Sequence, residues 1–223
     1  MHERLWRIAL IDSGIQPAAA VDPIHACRFI DSGSVVGQAP VLTDQLGHGT
    51  LMAKIIAATT TTQLLNAQVF GASMSTTAAT VAAALDWATA QHADLVHLSL
   101  GLREDRRVLA AAVEHAIAAG CIIVASTPAR GEASYPARYP GVLRATGDAR
   151  CSADEVSCLA SEQADFGACP RFDTQPDAGG ASVGAAHLTR FIVAHLRPGT
   201  DAVHVRAELT KMARYRGPES RRE

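Results

Sequence analysis

Aromatic residues are scarce in this 223-residue chain, only 4% of it, so any core must be built from Ala, Val, Leu and Ile, within a hydrophobic content of 48%. An excess of either charge is lacking too: 20 basic against 22 acidic residues leave a formal net charge of −2. That balance gives no electrostatic footprint for nucleic acid or a membrane surface, and neither is expected as a partner. No uninterrupted apolar run is long enough to span a bilayer. Residues Met1–Arg7 lead straight into a strand-like run, without the apolar region and small-residue cleavage site of an export signal. The five cysteines are odd in number and read as thiols rather than a disulfide framework. Cys151, Cys158 and Cys169 cluster without a CxxC spacing, and no Asp-rich calcium loop is visible, so no metal and no cofactor is expected. The expected compartment is the cytoplasm.

What is present is a regular alternation. Ile8–Ile11 reads as a short buried strand ending at Asp-Ser-Gly, Gly49–Ala58 as a helix and Leu64–Phe70 as a strand. Thr77–Gln91 follows as a helix with Val81, Leu85 and Ala88 on one face, then the strand Leu95–Gly101. Val108–Ala119 is an Ala-rich helix closed by Gly120, and Cys121–Ala125 another strand. Asp148–Gly180 weakens to short strands at best, before helices over Ser182–Leu196 and Ala202–Ala213. Apolar strands alternating with helices predict an α/β fold in three layers, a mostly parallel sheet with helices on both faces. At this length one domain is expected, residues 1–213, with 214–223 a basic, solvated tail carrying Arg214, Arg216, Arg221 and Arg222.

Three polar residues stand at strand ends or helix starts, where open parallel sheets bind their ligands. Asp12 follows a strand, and Ser13-Gly14 permits the sharp turn that exposes it; alone, such an Asp is commonly a turn former. His48 sits between Gly47 and Gly49 at a helix start. Ser182 opens a helix, where its backbone N–H belongs to the positive end of the dipole; alone, it reads as a cap.

Together the segments carry more. Asp12-Ser13-Gly14, Gly47-His48-Gly49-Thr50 and Gly180-Ala181-Ser182, the last followed by a helix containing His187, resemble in order the three motifs of the subtilisin-like family. Leu95–Gly101 resembles the family strand ending Ser-Leu-Gly, and Tyr135-Pro136-Ala137-Arg138-Tyr139-Pro140-Gly141-Val142 its Tyr-Pro-Ala segment. The resemblance covers residues 6–196. It implies a serine endopeptidase acting through an acyl-enzyme, with Ser182 the nucleophile, His48 its general base and Asp12 the group that holds the imidazole. It also implies that Ser99, Leu100 and Gly101 seat a protein or peptide substrate in extended form.

Departures from the family pattern qualify the activity. The Asn that donates to the oxyanion falls on Ala129, preceded by Pro128 where Gly is usual. In subtilisin itself, loss of that donor costs about 10²–10³ in turnover. Ser126, Thr127 and Arg130 are candidate replacements. Gly180–His187 also lacks the usual Thr and Pro. An intracellular, slow and dedicated processing protease that removes a leader or propeptide fits this set. The alternative is a pseudoprotease or binding module that keeps the fold without a normal oxyanion hole. An unrelated nucleotide binder is disfavoured, because no GxGxxG or P-loop follows the first strand.

Overall fold

The computed structural model describes residues 4–16, 23–58, 62–172 and 179–219. The first half contains β1 (Arg7–Asp12), β2 (His25–Asp31), β3 (Val36–Ala39), α1 (His48–Ile56), β4 (Gln63–Gln68), α2 (Ala78–Ala90) and β5 (Leu95–Leu98). Then come α3 (Arg107–Ala118), β6 (Ile122–Ser126), β7 (Leu143–Gly147), β8 (Val156–Cys158), β9 (Phe166–Ala168), α4 (Ala181–His195), α5 (Ala202–Met212) and β10 (Tyr215–Arg216). All the strands join one sheet in the order β10-β8-β9-β7-β6-β5-β1-β4-β2-β3. Among the described strands, only β2–β3 and β8–β9 pair antiparallel. The predicted mostly parallel three-layer α/β architecture is therefore the one observed.

Period-two alternation explains how the layers form. In β1, Ile8 and Leu10 enter one apolar layer, beneath α1 and α4, while Ala9 and Ile11 enter the other, beneath α2 and α3. All four are fully buried, and each large side chain so buried contributes about 1.5–3 kcal/mol. The topology places the site. After β1 the chain forms β2, β3 and α1 and returns beside β1 as β4 on one side, then crosses through α2 to β5 on the other. The strand order thus switches direction at β1, and a crevice opens at its carboxyl end, beside Asp12.

Two glycines let helices reach that crevice. A Cβ at Gly49 would run into the backbone oxygen of Gly14 and stand 3.1 Å from Asp12 Cβ, so only glycine allows α1 this close to the β1 turn. A Cβ at Gly184 would lie 2.6 Å from Thr146 C and 2.7 Å from Gly147 Cα, both rigid backbone. Gly184→Ala is therefore expected to push α4 off β7 and destabilise the fold by about 1–3 kcal/mol, as overpacking does. A fall in the urea midpoint checks this; an unchanged midpoint would mean that the helix is not seated so tightly.

The basic tail departs from expectation at its start. Tyr215 and Arg216 pair in parallel with β8, Arg214 N–H donates to Val156 O, and Gly217 N–H donates to Cys158 O. Backbone pairing holds this segment irrespective of its cationic side chains, so 214–217 is part of the folded unit; Arg221 and Arg222 lie outside the described residues. The strand predicted over Leu95–Gly101 ends at Leu98, and Ser99–Gly101 continues as an unpaired rim.

Candidate active site

The residues following β1 are clamped from several directions. Asp12 Oδ1 accepts the Ser13 N–H at 2.7 Å, Ser13 Oγ accepts the Gly49 N–H at 2.9 Å, and Gln68 Nε2 donates to Ser13 O at 2.7 Å. These contacts hold the carboxylate of Asp12, 1% exposed, against the first turn of α1. His48 is the first residue of that helix, after Gly47 in the left-handed conformation at φ 70°. Its Nδ1 lies 2.8 and 2.9 Å from the two oxygens of Asp12. A carboxylate only accepts, so Nδ1 carries the hydrogen and the neutral ring keeps its lone pair on Nε2, the arrangement of a base. Burial pulls the His48 pKa down, but the Asp12 hydrogen bond and the charges of Asp12 and Asp44 outweigh it, leaving the value above the ordinary 6.5.

Asp44, not anticipated from the sequence, secures the same helix. It is 1% exposed and accepts from the N–H groups of Leu46, Gly47 and Thr50 and from Thr50 Oγ1, at 2.6–3.2 Å. The signal available for it was an Asp shortly before a helix start, the position from which a side chain caps exposed N–H groups.

Ser182 stands at the second position of α4, whose N-cap is Gly180 with no side-chain capping bond. Its hydroxyl is therefore not used as a cap, and among the described residues no hydrogen bond joins it to His48. Ser182 lines a cleft of about 590 Å³ together with Ser99, Leu100 and Gly101. Phe70 and Met74–Thr76, which carry no sequence motif, line the same cleft. Of the proposed replacements for the oxyanion donor, Ser126 and Thr127 line the cleft together with Pro128. Thr127 Oγ1 is buried without a hydrogen-bond partner. Ala129 and Arg130 line a separate cavity with Thr146–Ala149. The backbone N–H groups of Ala181, Ser182 and Val183 are free of intrahelical partners at the positive end of α4.

His187 lies on α4, five residues after Ser182. It is 2% exposed, and its Nε2 donates to Arg171 O at 3.0 Å, tying α4 to the chain ahead of it. All five cysteines are unbonded, four of them buried. Among the described residues no helix is long and apolar enough to cross a membrane, and no group of three or more His, Cys, Asp or Glu converges as a metal site would require.

This architecture is that of the subtilisin-like proteinases. The structure of a cold-adapted subtilisin-like serine proteinase aligns over 92% of this chain and 81% of its own with a TM-score of 0.67, and the psychrophilic protease S41 over 92% and 82% with a TM-score of 0.62. Sequence identities of 19% and 20% make these likenesses of fold. The chain belongs to the subtilase family, whose model matches residues 6–176, a span that includes Asp12 and His48 and stops short of Ser182. Subtilisin DY of Bacillus licheniformis is 29% identical over 153 residues, 61% of this chain and 54% of that protein. Alkaline elastase YaB of Bacillus sp. (strain YaB) is 30% identical over 149 residues, 61% and 38%. The chain thus spans about half or less of the length of these two relatives.

Proposed function

We propose that the chain is a serine endopeptidase in which Ser182 is the nucleophile, His48 the general base and Asp12 the residue that orients and stabilises the base. The observation that carries this reading is the His48 Nδ1 contact with both oxygens of buried Asp12, at 2.8 and 2.9 Å, which leaves Nε2 as the basic nitrogen. Ser182 Oγ attacks the carbonyl carbon of a peptide bond while its proton passes to His48 Nε2. The oxyanion is held by the Ser182 N–H at the start of α4, and the C–N bond then breaks as His48 returns the proton to the leaving amine. Water, deprotonated by the same nitrogen, cleaves the ester and restores Ser182. Closure of the Ser182–His48 contact belongs to the substrate complex, since such bonds tighten when substrate is present.

The substrate is proposed to be a leader or propeptide of a specific protein, processed slowly inside the cell. Ala129 supplies no side-chain donor, which limits turnover on generic peptides, and five unbonded cysteines suit a reducing compartment. The plan resembles that of the maturation protease for the small subunit of quinohemoprotein amine dehydrogenase, an enzyme of that type. A fluorophosphonate probe tests the chemistry directly. It is expected to label wild-type protein on Ser182, located by peptide mapping, and to fail on His48→Ala. Absence of labelling in correctly folded wild type would favour the binding-module alternative, in which the fold is kept for recognition alone.

A further inference from the structure

The strand β5 is apolar on both faces except at one residue. Leu95, Val96 and Leu98 are fully buried, and so is His97, at 0% exposure. An imidazole in such a run has no packing rationale, and local conflict with an apolar pattern concentrates at functional sites. Its two nitrogens are both engaged. Nδ1 lies 2.9 Å from Thr189 Oγ1 on α4, 92 residues away, and Nε2 lies 2.6 Å from Ser99 Oγ. Ser99 lines the cleft with Ser182.

Thr189 is fitted to this bond. Helical Thr89 and Thr210 donate their hydroxyls to the carbonyl four residues back, Leu85 O and Arg206 O. Thr189 makes no such bond among the described residues, and His97 is its side-chain partner. The ring stays neutral: burial, then the nearby charge of His48, hold its pKa down at about 3. A neutral imidazole has one N–H and one lone pair, so the chain Thr189–His97–Ser99 has only two proton arrangements, and either leaves the Ser99 Oγ fixed in place.

We propose that His97 is a positioning residue: braced by Thr189, it fixes Ser99 in the lining of the cleft and so registers the peptide-seating rim Ser99–Gly101 against the helix that carries Ser182. This rests on the protease reading above. A rim loosened from α4 would misplace an extended peptide relative to Ser182, and misplacement of about 1 Å costs on the order of 10²-fold when the geometry is demanding. A small probe that needs no rim would notice little.

The test compares His97→Leu, His97→Gln and Thr189→Val with wild type on three probes. These are a tetrapeptide p-nitroanilide, an N-acetylated single-residue p-nitrophenyl ester, and a fluorophosphonate. In His97→Leu, kcat/KM on the tetrapeptide is expected to fall about tenfold or more, with the ester and the labelling rate within about twofold. His97→Gln, which can still donate and accept, should recover most of the loss. Thr189→Val, which leaves the strand untouched, should show the same pattern more weakly. Losses equal on all three probes, or unchanged tetrapeptide kinetics in folded His97→Leu and Thr189→Val, would overturn the proposal. Wild type that neither labels nor cleaves would instead bring down the protease reading, and this inference with it.

Discussion

Replacing Ser182 by alanine is expected to reduce peptide cleavage by about 10⁶-fold, the scale of loss when subtilisin's own serine is removed. Stability should change by no more than about 0.5 kcal/mol. The two expectations are separable because the hydroxyl has no structural task. Gly180, not Ser182, is the N-cap of α4, and the Ser182 side chain makes no hydrogen bond among the described residues. Its backbone N–H, which survives in the variant, keeps its place at the positive end of the helix. Residual activity should then reflect binding and oxyanion stabilisation alone. Because nucleophile and base act as a unit, His48→Ala should fall nearly as far, and the double variant no further than either single one. The measurement is single-turnover cleavage of a peptide anilide, with thermal melting as the control for folding. Cleavage by Ser182→Ala within tenfold of wild type would remove Ser182 from the mechanism, and additive losses in the double variant would mean that the two residues do not act together.

How much of this was legible in the sequence depends on what carried the signal. β1, α1, β5, β6 and α4 could be read because their apolar residues follow the period of the element they form, with glycines at the boundaries. Asp12, His48 and Ser182 could be singled out because their motifs, taken in order, resemble those of the subtilisin-like family; strand ends and helix starts alone leave each of them a turn former or a cap. β2 was hidden because only Cys27 and Phe29 are buried along His25–Asp31, and charged residues interrupt the pattern. In β7, the Arg144 guanidinium meets Asp165 Oδ1 at 2.7 Å, a partner 21 residues away that no local pattern announces. β10 was missed for a different reason: its place is set by backbone pairing to β8, to which side-chain charge is nearly irrelevant. His97 and Asp44 escaped notice because their meaning lies in partners on other segments. A polar residue in an apolar strand is the visible clue for the first.

Asp12→Asn is expected to lower kcat by about 10⁴-fold near neutral pH while leaving the fold intact, the effect of the same change in a serine protease of unrelated fold. The geometry shows why an isosteric change does this. The Ser13 N–H, 2.7 Å from Oδ1, pins the amide oxygen at that position. The new NH₂ then occupies the place of Oδ2, 2.9 Å from His48 Nδ1, with its hydrogens directed at the ring. This NH₂ competes for the ring with the amide oxygen, still 2.8 Å from Nδ1, and in the tautomer that presents a lone pair to the NH₂ the ring hydrogen moves to Nε2. That nitrogen can no longer take the proton of Ser182. The pH profile gives a second, independent readout. Cleavage requires neutral His48, whose pKa is raised because Asp12 and Asp44 together outweigh burial, so the acid limb of the wild type should lie above 6.5. Without the Asp12 carboxylate, burial is opposed only by Asp44, and the residual activity should show an acid limb displaced to lower pH. Stability follows the same linkage. A raised pKa stabilises the fold fully at pH below the unfolded value of about 6.5, and the contribution is lost as pH rises through the folded pKa. The variant should therefore lose more stability at pH 5.5 than at pH 9, measured as urea midpoints. An acid limb that does not move, or a kcat within tenfold of wild type at pH 8, would show that Asp12 neither sets the tautomer of His48 nor supports its charge.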